Sequence, residues 1–420
     1  MSLSKARTDS LGRSMLAIYF FQGTLGTVMI PRIPQLIDQL DVNFTVWGAI
    51  IGFSGLGGLI GLMFASNLIV RFGSRRILQV SALAFAFLLI PMPYISNGWI
   101  FFLDQAAIAF AGACLNVALN AQAVVLQKFL NRVIIPKFHG VWSIGAASSA
   151  ALSAFMVSFT PMWLQFLIVP GVIALALGLL ARRVLSGDEI GKVSERKLGE
   201  KVPFWRSPAQ LWIISLGWFA GVFPEAAVMD WSTVFGRKML MLDAALSAVP
   251  YTFFVVAMIL SRLSVARVTR RIHVGILSFW GGLVGAAAMG IGAIFGPMIS
   301  TNDRIAGMFF TSIFWFVAGI GIGPMSPNFT TTSGQIKGLS TSQGLARASL
   351  ISSVLILGAK VIMGAIAQNV NLTVAFMLPT ALFFMASIIL GISARGHNKE
   401  RPVVEDAFPI TGSIAIVRGD

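Results

Sequence analysis

The sequence has few charged residues, one cysteine and three histidines, and each shortage excludes a class of protein. Charged residues make up 11% of the 420 positions, whereas a soluble domain carries about 25%. The single cysteine, Cys114, excludes a disulfide framework and paired-cysteine metal sites. The histidines, His139, His273 and His397, lack the short spacing of a metal-binding motif. We therefore expect neither a water-soluble domain nor a metal centre.

Sequence motifs of soluble enzymes are also missing. The chain has no GxxxxGK[ST] phosphate loop, no HExxH zinc motif and no GxSxG nucleophile motif. No titratable side chain is placed as an acid or base beside a nucleophile. The sequence therefore predicts a protein that is not an enzyme and that needs no cofactor.

Long apolar runs dominate what is present. Hydrophobic residues make up 56% of the chain and the mean hydropathy is +0.83. One bilayer span needs about 20 apolar residues, so twelve spans would use roughly 240. The apolar stretches between charged breaks predict an all-α membrane protein with twelve transmembrane helices. Their predicted bounds are 14–37, 45–70, 77–95, 99–126, 138–158, 162–180, 208–235, 243–263, 274–295, 304–331, 342–366 and 373–392.

The positive charge predicts how the chain is oriented. The formal net charge is +15, and 26 of the 31 lysines and arginines fall on one side if both termini and residues 181–207 share that side. Basic loops are retained in the cytoplasm, so we expect cytoplasmic termini in the inner (plasma) membrane. This bias accounts for the charge without a nucleic-acid partner. The exceptions are Arg32, Arg237, Lys238 and Arg304 towards the other face, and Lys360 within a span.

The chain divides into two similar halves. Residues 1–180 and 208–392 each hold six predicted spans, 181–207 forms a cytoplasmic linker and 393–420 a disordered cytoplasmic tail. A basic turn follows span 2 at 71–76 and span 8 at 267–271, as expected from duplication in a transporter. We expect a monomer in the lipid bilayer.

Several motifs resemble the major facilitator superfamily. Its loop between spans 2 and 3 is similar to the turn that contains Arg71, Gly73, Arg75 and Arg76, although Ser66 and Val70 depart from that motif. Four further segments resemble the rhizopine-permease (MosC-like) branch of the superfamily. They are Arg32-Ile33-Pro34, Asn116-Val117-Ala118-Leu119-Asn120-Ala121-Gln122, Phe138-His139-Gly140 and Glu225-Ala226-Ala227-Val228-Met229-Asp230-Trp231-Ser232.

This resemblance implies the major facilitator fold, in which two pseudo-symmetric six-helix bundles alternate access to a central cavity. It also implies that spans 1, 4, 7 and 10 line the cavity and that the substrate is a small polar solute, sugar-like or amino-inositol-like. Span 10 carries Gly319, Gly321, Gly323 and Pro324, which predict a broken helix. The cavity residues expected on this basis are Gln22, Arg32, Asn116, Asn120, Glu225, Asp230, Trp231 and Asn328.

Charged residues inside the membrane are costly and usually functional. Glu225 and Lys360 are predicted at one depth, which suggests that they pair across spans 7 and 11, with Arg32 at the same level. Asn116 replaces the acid that the branch usually has in span 4, so Glu225, with Asp230 as second choice, is the expected proton carrier. In one alternative, Arg32 and Asp230 only reach the outer interface. A separate alternative to proton coupling is facilitated diffusion without any proton.

Other functions stay open at this level. A cavity rich in phenylalanine, methionine and tryptophan would also suit an exporter of amphiphilic compounds. A transporter-like sensor or a lipid scramblase would share the same spans. Substrate, direction and coupling ion are not fixed by the residues.

Overall fold

The computed structural model describes residues 5–130, 134–185, 204, 207–269 and 271–396. Within these ranges the regular structure is helical throughout. Eleven helical stretches of the described chain are long and apolar enough to cross a membrane. The helix Ile135–Met156, with 22 residues at the position of predicted span 5, completes the set of twelve.

The described helices follow the predicted spans to within a few residues at most ends, and the all-helical prediction is confirmed. The main difference is at span 1, whose helix begins at Lys5. Their bounds are Lys5–Thr27, Ile30–Arg32 and Ile33–Leu40 for span 1; Phe44–Phe53 and Gly55–Phe72 for span 2; Ser74–Leu89 and Met92–Tyr94 for span 3; Gly98–Leu130, Ile135–Met156 and Met162–Leu180 for spans 4 to 6; Ala209–Lys238 for span 7; Leu246–Ala248 and Val249–Val268 for span 8; Val274–Ser300 for span 9; Arg304–Ile322 and Met325–Gly334 for span 10; Thr341–Asn369 for span 11; and Leu372–Ala375 and Met377–Gly396 for span 12.

Prolines explain two of the breaks within spans. Pro31 opens a 3-10 turn in span 1 and Pro34 opens the short helix after it. In span 10 the first helix ends at Ile322, and Pro324 is the residue before the second helix. Proline lacks a backbone donor and clashes with the preceding turn, so a continuous helix is disfavoured there. The predicted break in span 10 is confirmed.

The molecule has two faces, at opposite ends of its helices. The linker face carries Ala181 and Pro208, where the chain leaves span 6 and enters span 7. The far face is at the opposite ends of the helices. Most of the predicted linker, and the predicted tail from residue 397 onward, lie outside the described residues.

The two six-helix bundles meet through spans 1 and 7, 2 and 11, and 5 and 8. Thr233 donates a hydrogen bond to the carbonyl of Ile30 at 3.1 Å, which joins spans 7 and 1. The backbone N–H of Phe44 donates to Oε1 of Gln368 at 2.9 Å, which joins spans 2 and 11. These groups all lie in the far half of their spans, so the bundles are joined at the far face.

Small residues let spans 2 and 11 approach closely. A Cβ atom added to Gly48 would lie 2.8 Å from the carbonyl oxygen of Lys360 and 2.9 Å from Cα of Gly364. Any residue larger than glycine at position 48 or position 364 would therefore push the two helices apart. The small-residue spacing of Gly48 and Gly52 marks a helix contact in the interface between the bundles.

Candidate functional site

Span 7 carries two carboxylates that point to different neighbours. Glu225 accepts hydrogen bonds from both terminal nitrogens of Arg262 in span 8, at 2.6 Å and 3.5 Å. Lys360 in span 11 places Nζ 2.8 Å from Oδ2 of Asp230. The predicted pair of Lys360 with Glu225 was therefore wrong. Five residues of helix rotate a side chain by about 140°, so the two acids of span 7 face different helices.

The side chains of both ion pairs are partly exposed. The side chains of Glu225 and Arg262 are 19% and 27% exposed, and those of Asp230 and Lys360 are 16% and 19% exposed. Charged groups at this position avoid lipid because the hydrocarbon cannot solvate them. We therefore expect their exposed portions to face space inside the protein rather than lipid.

Glu225 lies near the middle of its helix. Span 7 begins at Ala209, so Glu225 is about 24 Å along it. Pro224 precedes Glu225 within the helix, and a proline there removes one backbone hydrogen bond and favours a kink. Tyr251 of span 8 is buried. The spans of the C-terminal bundle thus carry two acids and two bases in two ion pairs.

Sequence reasoning missed Arg262 as a site residue, because it was counted with the cytoplasmic basic residues although predicted span 8 (243–263) contains it. The helix continues to Val268, so Arg262 lies inside it. The residues Leu263-Ser264-Val265 continue the apolar pattern beyond Arg262 and were the available signal. Arg262 is therefore an intramembrane residue of the site.

Span 4, in the N-terminal bundle, contributes amide side chains to the candidate site. Nδ2 of Asn120 donates to Oδ1 of Asn116 at 2.8 Å, and the hydroxyl of Tyr19 donates to Oδ1 of Asn120 at 3.0 Å. Asn116 is exposed although it lies in the middle of its span. The buried Tyr19 stacks on Phe138 of span 5, with ring centroids 5.2 Å apart. Asn116 is thus the exposed end of a chain of polar contacts.

Tyr19 was not among the predicted site residues. Its spacing of three from Gln22 on span 1 places both on one helix face, and this was the available signal. Gln22 itself is 8% exposed.

Three other predicted cavity residues are packed away. Trp231 is fully buried and meets Phe44 of span 2 edge-on, with centroids 5.8 Å apart. Asn328 is 8% exposed and donates to Oγ of Ser278 in span 9 at 3.1 Å. These contacts place Trp231 in the interface between the bundles and Asn328 inside the C-terminal bundle.

Arg32 is the third of these residues, and it joins spans 1, 5 and 6 near the far face. Its guanidinium donates to Oε1 of Gln165 and Oε1 of Gln35, each at 2.8 Å. It also donates to the carbonyls of Thr160 at 2.6 Å and Met156 at 3.3 Å. The residue is 1% exposed. The sequence predicted Arg32 in an open cavity at the depth of Glu225. In the structure Arg32 is instead buried between spans 1, 5 and 6.

The loop motif after span 2 fastens that turn to the end of span 6. Gly73 has φ +81°, a backbone conformation that favours glycine. Arg75 donates to the carbonyl of Arg182. Arg71 lies over the ring of Phe72, 5.2 Å from its centroid. Arg76 is exposed on the same turn.

Metal-ligand types do not cluster in the described chain. Across those residues, no group of three or more His, Cys, Asp or Glu side chains is placed to hold a metal ion.

Comparison with known proteins identifies the family. The profile of the Major Facilitator Superfamily matches residues 15–338, well over half of the chain. The chain belongs to the Major Facilitator Superfamily. It is a multi-pass membrane protein of the transporter type, with the twelve-helix fold of that family.

Two curated transporters are similar in sequence. The uncharacterized transporter y4wD of Sinorhizobium fredii is 25% identical over 291 residues, which cover 68% of this chain and 73% of that protein. An uncharacterized MFS-type transporter of Yersinia pestis is 25% identical over 371 residues, covering 85% of this chain and 89% of that protein. Both support the transporter class.

Two solved structures share the fold. The nucleoside transporter NupG has a TM-score of 0.67 and 12% identity, covering 93% of this chain and 100% of that chain. A bacterial homologue of the human lysosomal transporter Spinster, in an inward-facing and unoccupied conformation, has a TM-score of 0.66 and 13% identity. The match covers 95% of this chain and 100% of the homologue. At these identities the likeness concerns the fold alone.

Proposed function

We propose that this superfamily member is a secondary active transporter that moves a small polar solute by alternating access and couples the movement to protons. The observation that carries this proposal is the Glu225–Arg262 pair, which is partly exposed in the middle of span 7. A carboxylate at this depth that is reachable by water and held by a displaceable cation has the properties of a coupling group.

The proposed substrate is sugar-like or amino-inositol-like. Asn116 offers an amide from the N-terminal bundle, and Glu225 and Arg262 offer a charged pair from the C-terminal bundle. Amides and carboxylates accept hydrogen bonds from hydroxyl and ammonium groups, and the guanidinium donates to hydroxyl oxygens. The resemblance to the rhizopine-permease branch supports the same solute class.

The coupling step proposed here is competition for Glu225. In the ion pair, Arg262 stabilises the ionised carboxylate. A substrate whose hydroxyl oxygens accept hydrogen bonds from Arg262 draws the guanidinium away from Glu225, and Glu225 then takes up a proton. Release of the substrate on the other side restores the pair and expels the proton. Asp230 remains paired with Lys360 in this scheme.

The direction of opening follows from the contacts between bundles. The bundles are joined at the far face through Thr233 and Ile30 and through Phe44 and Gln368. With the linker face in the cytoplasm, as the basic residues favour, this is the inward-facing state of a carrier in the inner membrane. Alternating access then requires these far-face contacts to separate.

Uptake of a panel of externally supplied labelled polyols and amino-polyols into proteoliposomes tests the function. We expect one member of the panel to accumulate under an imposed proton gradient. Glu225→Gln should lose accumulation against a gradient and keep counterflow exchange. Accumulation that survives in Glu225→Gln would show that Glu225 is not the coupling group. Selective transport of hydrophobic cations would instead favour the amphiphile exporter.

The control for this experiment neutralises the other pair. Asp230→Asn combined with Lys360→Met removes one acid and one base without leaving a buried charge alone. We expect this double variant to retain proton-driven accumulation, since Glu225 and Arg262 are intact.

Orientation has its own test. In a Cys114→Ser background, cysteine at Ser96 on the far face and cysteine at Ser194 can be labelled with an impermeant thiol reagent on intact cells. Ser96 is exposed, and Ser194 lies outside the described residues. We expect labelling at position 96 only, and labelling at 194 with protection at 96 would reverse the orientation.

A further inference from the structure

A pocket of about 250 Å³ lies on the far face, away from the two ion pairs of span 7. Its position falls between the bundles, because Pro34 and Asp38 come from span 1 and the other lining residues from the C-terminal bundle. The lining residues are Pro34, Asp38, Arg237, Lys238, Met241, Leu242 and Arg304.

The pocket concentrates positive charge on a face that is otherwise poor in it. With the intramembrane Arg262 and Lys360 set aside, 25 of the 31 basic residues fall towards the linker face and four towards the far face. Three of those four, Arg237, Lys238 and Arg304, line this pocket. Asp38 is the one carboxylate among the lining residues, which leaves a net positive site.

Local structure accounts for only part of this arrangement. Arg237 and Lys238 occupy the last turn of span 7, where the helix dipole favours cations. Arg304 occupies the first turn of span 10, where the dipole disfavours a cation. An anion bound beside this helix N-terminus would interact favourably with both the dipole and Arg304.

The turn after span 7 holds the pocket wall in an uncommon conformation. Met241 has φ +56°, a region that residues other than glycine rarely occupy and that is frequent at ligand sites. The guanidinium of Arg237 donates to the carbonyl of Leu242 at 3.4 Å across this turn. The turn therefore keeps Arg237 beside the pocket.

We propose that this far-face pocket binds a phosphate group through the cations of the C-terminal bundle. Arginine forks and lysine ammonium groups bind phosphate oxygens through charge-assisted hydrogen bonds. The ligand is either a soluble phosphate or the headgroup of an anionic phospholipid. The site lies apart from Glu225, so the proposal does not depend on proton coupling.

The test measures thermal unfolding of the full-length protein in detergent as inorganic phosphate is added. We expect phosphate to raise the unfolding temperature of the native protein. The Lys238→Gln/Arg304→Gln variant should bind phosphate about tenfold more weakly or worse, as expected from losing charge-assisted hydrogen bonds. A variant with Arg267→Gln and Arg271→Gln, which removes the same charge from exposed positions at the linker face, should respond like the native protein.

A gain-of-binding variant guards against simple misfolding. Asp38→Asn removes the acid from the pocket and should bind phosphate more tightly than the native protein. Reconstitution in phosphatidylglycerol and in phosphatidylcholine separates the two sources, because a headgroup site stabilises the protein only in the anionic lipid. The proposal is overturned if neither probe distinguishes the Lys238/Arg304 variant from the linker-face control, or if Asp38→Asn binds no better.

Discussion

Lys360 contacts Asp230 with its side chain and Gly48 with its backbone. Its Nζ lies 2.8 Å from Oδ2 of Asp230 in span 7, and its carbonyl oxygen lies where a Cβ atom on Gly48 of span 2 would be only 2.8 Å away. The ion pair is therefore next to the interface that must separate when the far face opens. Lys360 therefore links movement between the bundles to the environment of the ion pair.

The first prediction concerns this close approach. Gly48→Ala places a methyl group against the backbone of Lys360 and Gly364, and such overpacking costs about 1–3 kcal/mol. Because the clash exists only while the far face is closed, we expect a shift towards the open state. Faster labelling of a cysteine at Phe44 by an impermeant reagent would report it.

Gly358→Ala is the matched control, since a Cβ atom at Gly358 meets nothing within 4 Å. Alanine stabilises a helix by up to about 1 kcal/mol relative to glycine, so this variant should be at least as stable as the native protein. Equal labelling of both variants would contradict the steric argument.

The second prediction tests the partner of Lys360. Lys360→Met leaves Asp230 without its cation, and breaking a buried pair costs about 3 kcal/mol or more. Adding Asp230→Asn should restore much of the loss in unfolding temperature. Adding Glu225→Gln should not, because Glu225 is bound by Arg262. Rescue by Glu225→Gln rather than Asp230→Asn would revive the pairing expected from depth alone.

The third prediction concerns Arg262. Arg262→Gln leaves Glu225 ionised and unpaired, or protonated, and both outcomes remove the competition on which coupling depends. We expect substrate exchange to continue while proton-driven accumulation falls to the level of Glu225→Gln. The measurement is counterflow against gradient-driven uptake in the same vesicles. Accumulation at the native level would show that the pair is structural.

The spans of the protein were predictable because hydropathy and basic loops depend on composition along the chain. The wrong partner for Lys360 has a physical cause. Depth in the membrane follows from counting residues, and it placed Glu225 and Lys360 together. The direction in which a side chain points depends on helix rotation and on the neighbours after folding, and it separates Glu225 from Lys360.

Neutral partners were harder to foresee than charged ones. The acceptors of Arg32 include the carbonyls of Met156 and Thr160, which become available only where span 5 ends. Nothing in the sequence marks a backbone carbonyl as a partner. Tyr19 was missed for a similar reason, because its hydroxyl partner, Asn120, lies 101 residues away.

The last prediction separates a packing role of Arg32 from a substrate role. Its fork donates to Gln35, Gln165 and two backbone carbonyls, a geometry that the single ammonium of lysine cannot reproduce. Arg32→Lys keeps the charge and should still lower the free energy of unfolding by about 2 kcal/mol, since several buried acceptors lose their donors. Arg32→Met should lower it further. The KM for substrate, measured on the folded fraction, should remain unchanged in Arg32→Lys, because a buried residue that joins spans 1, 5 and 6 does not touch the solute. A raised KM with native stability in Arg32→Lys would return Arg32 to the cavity.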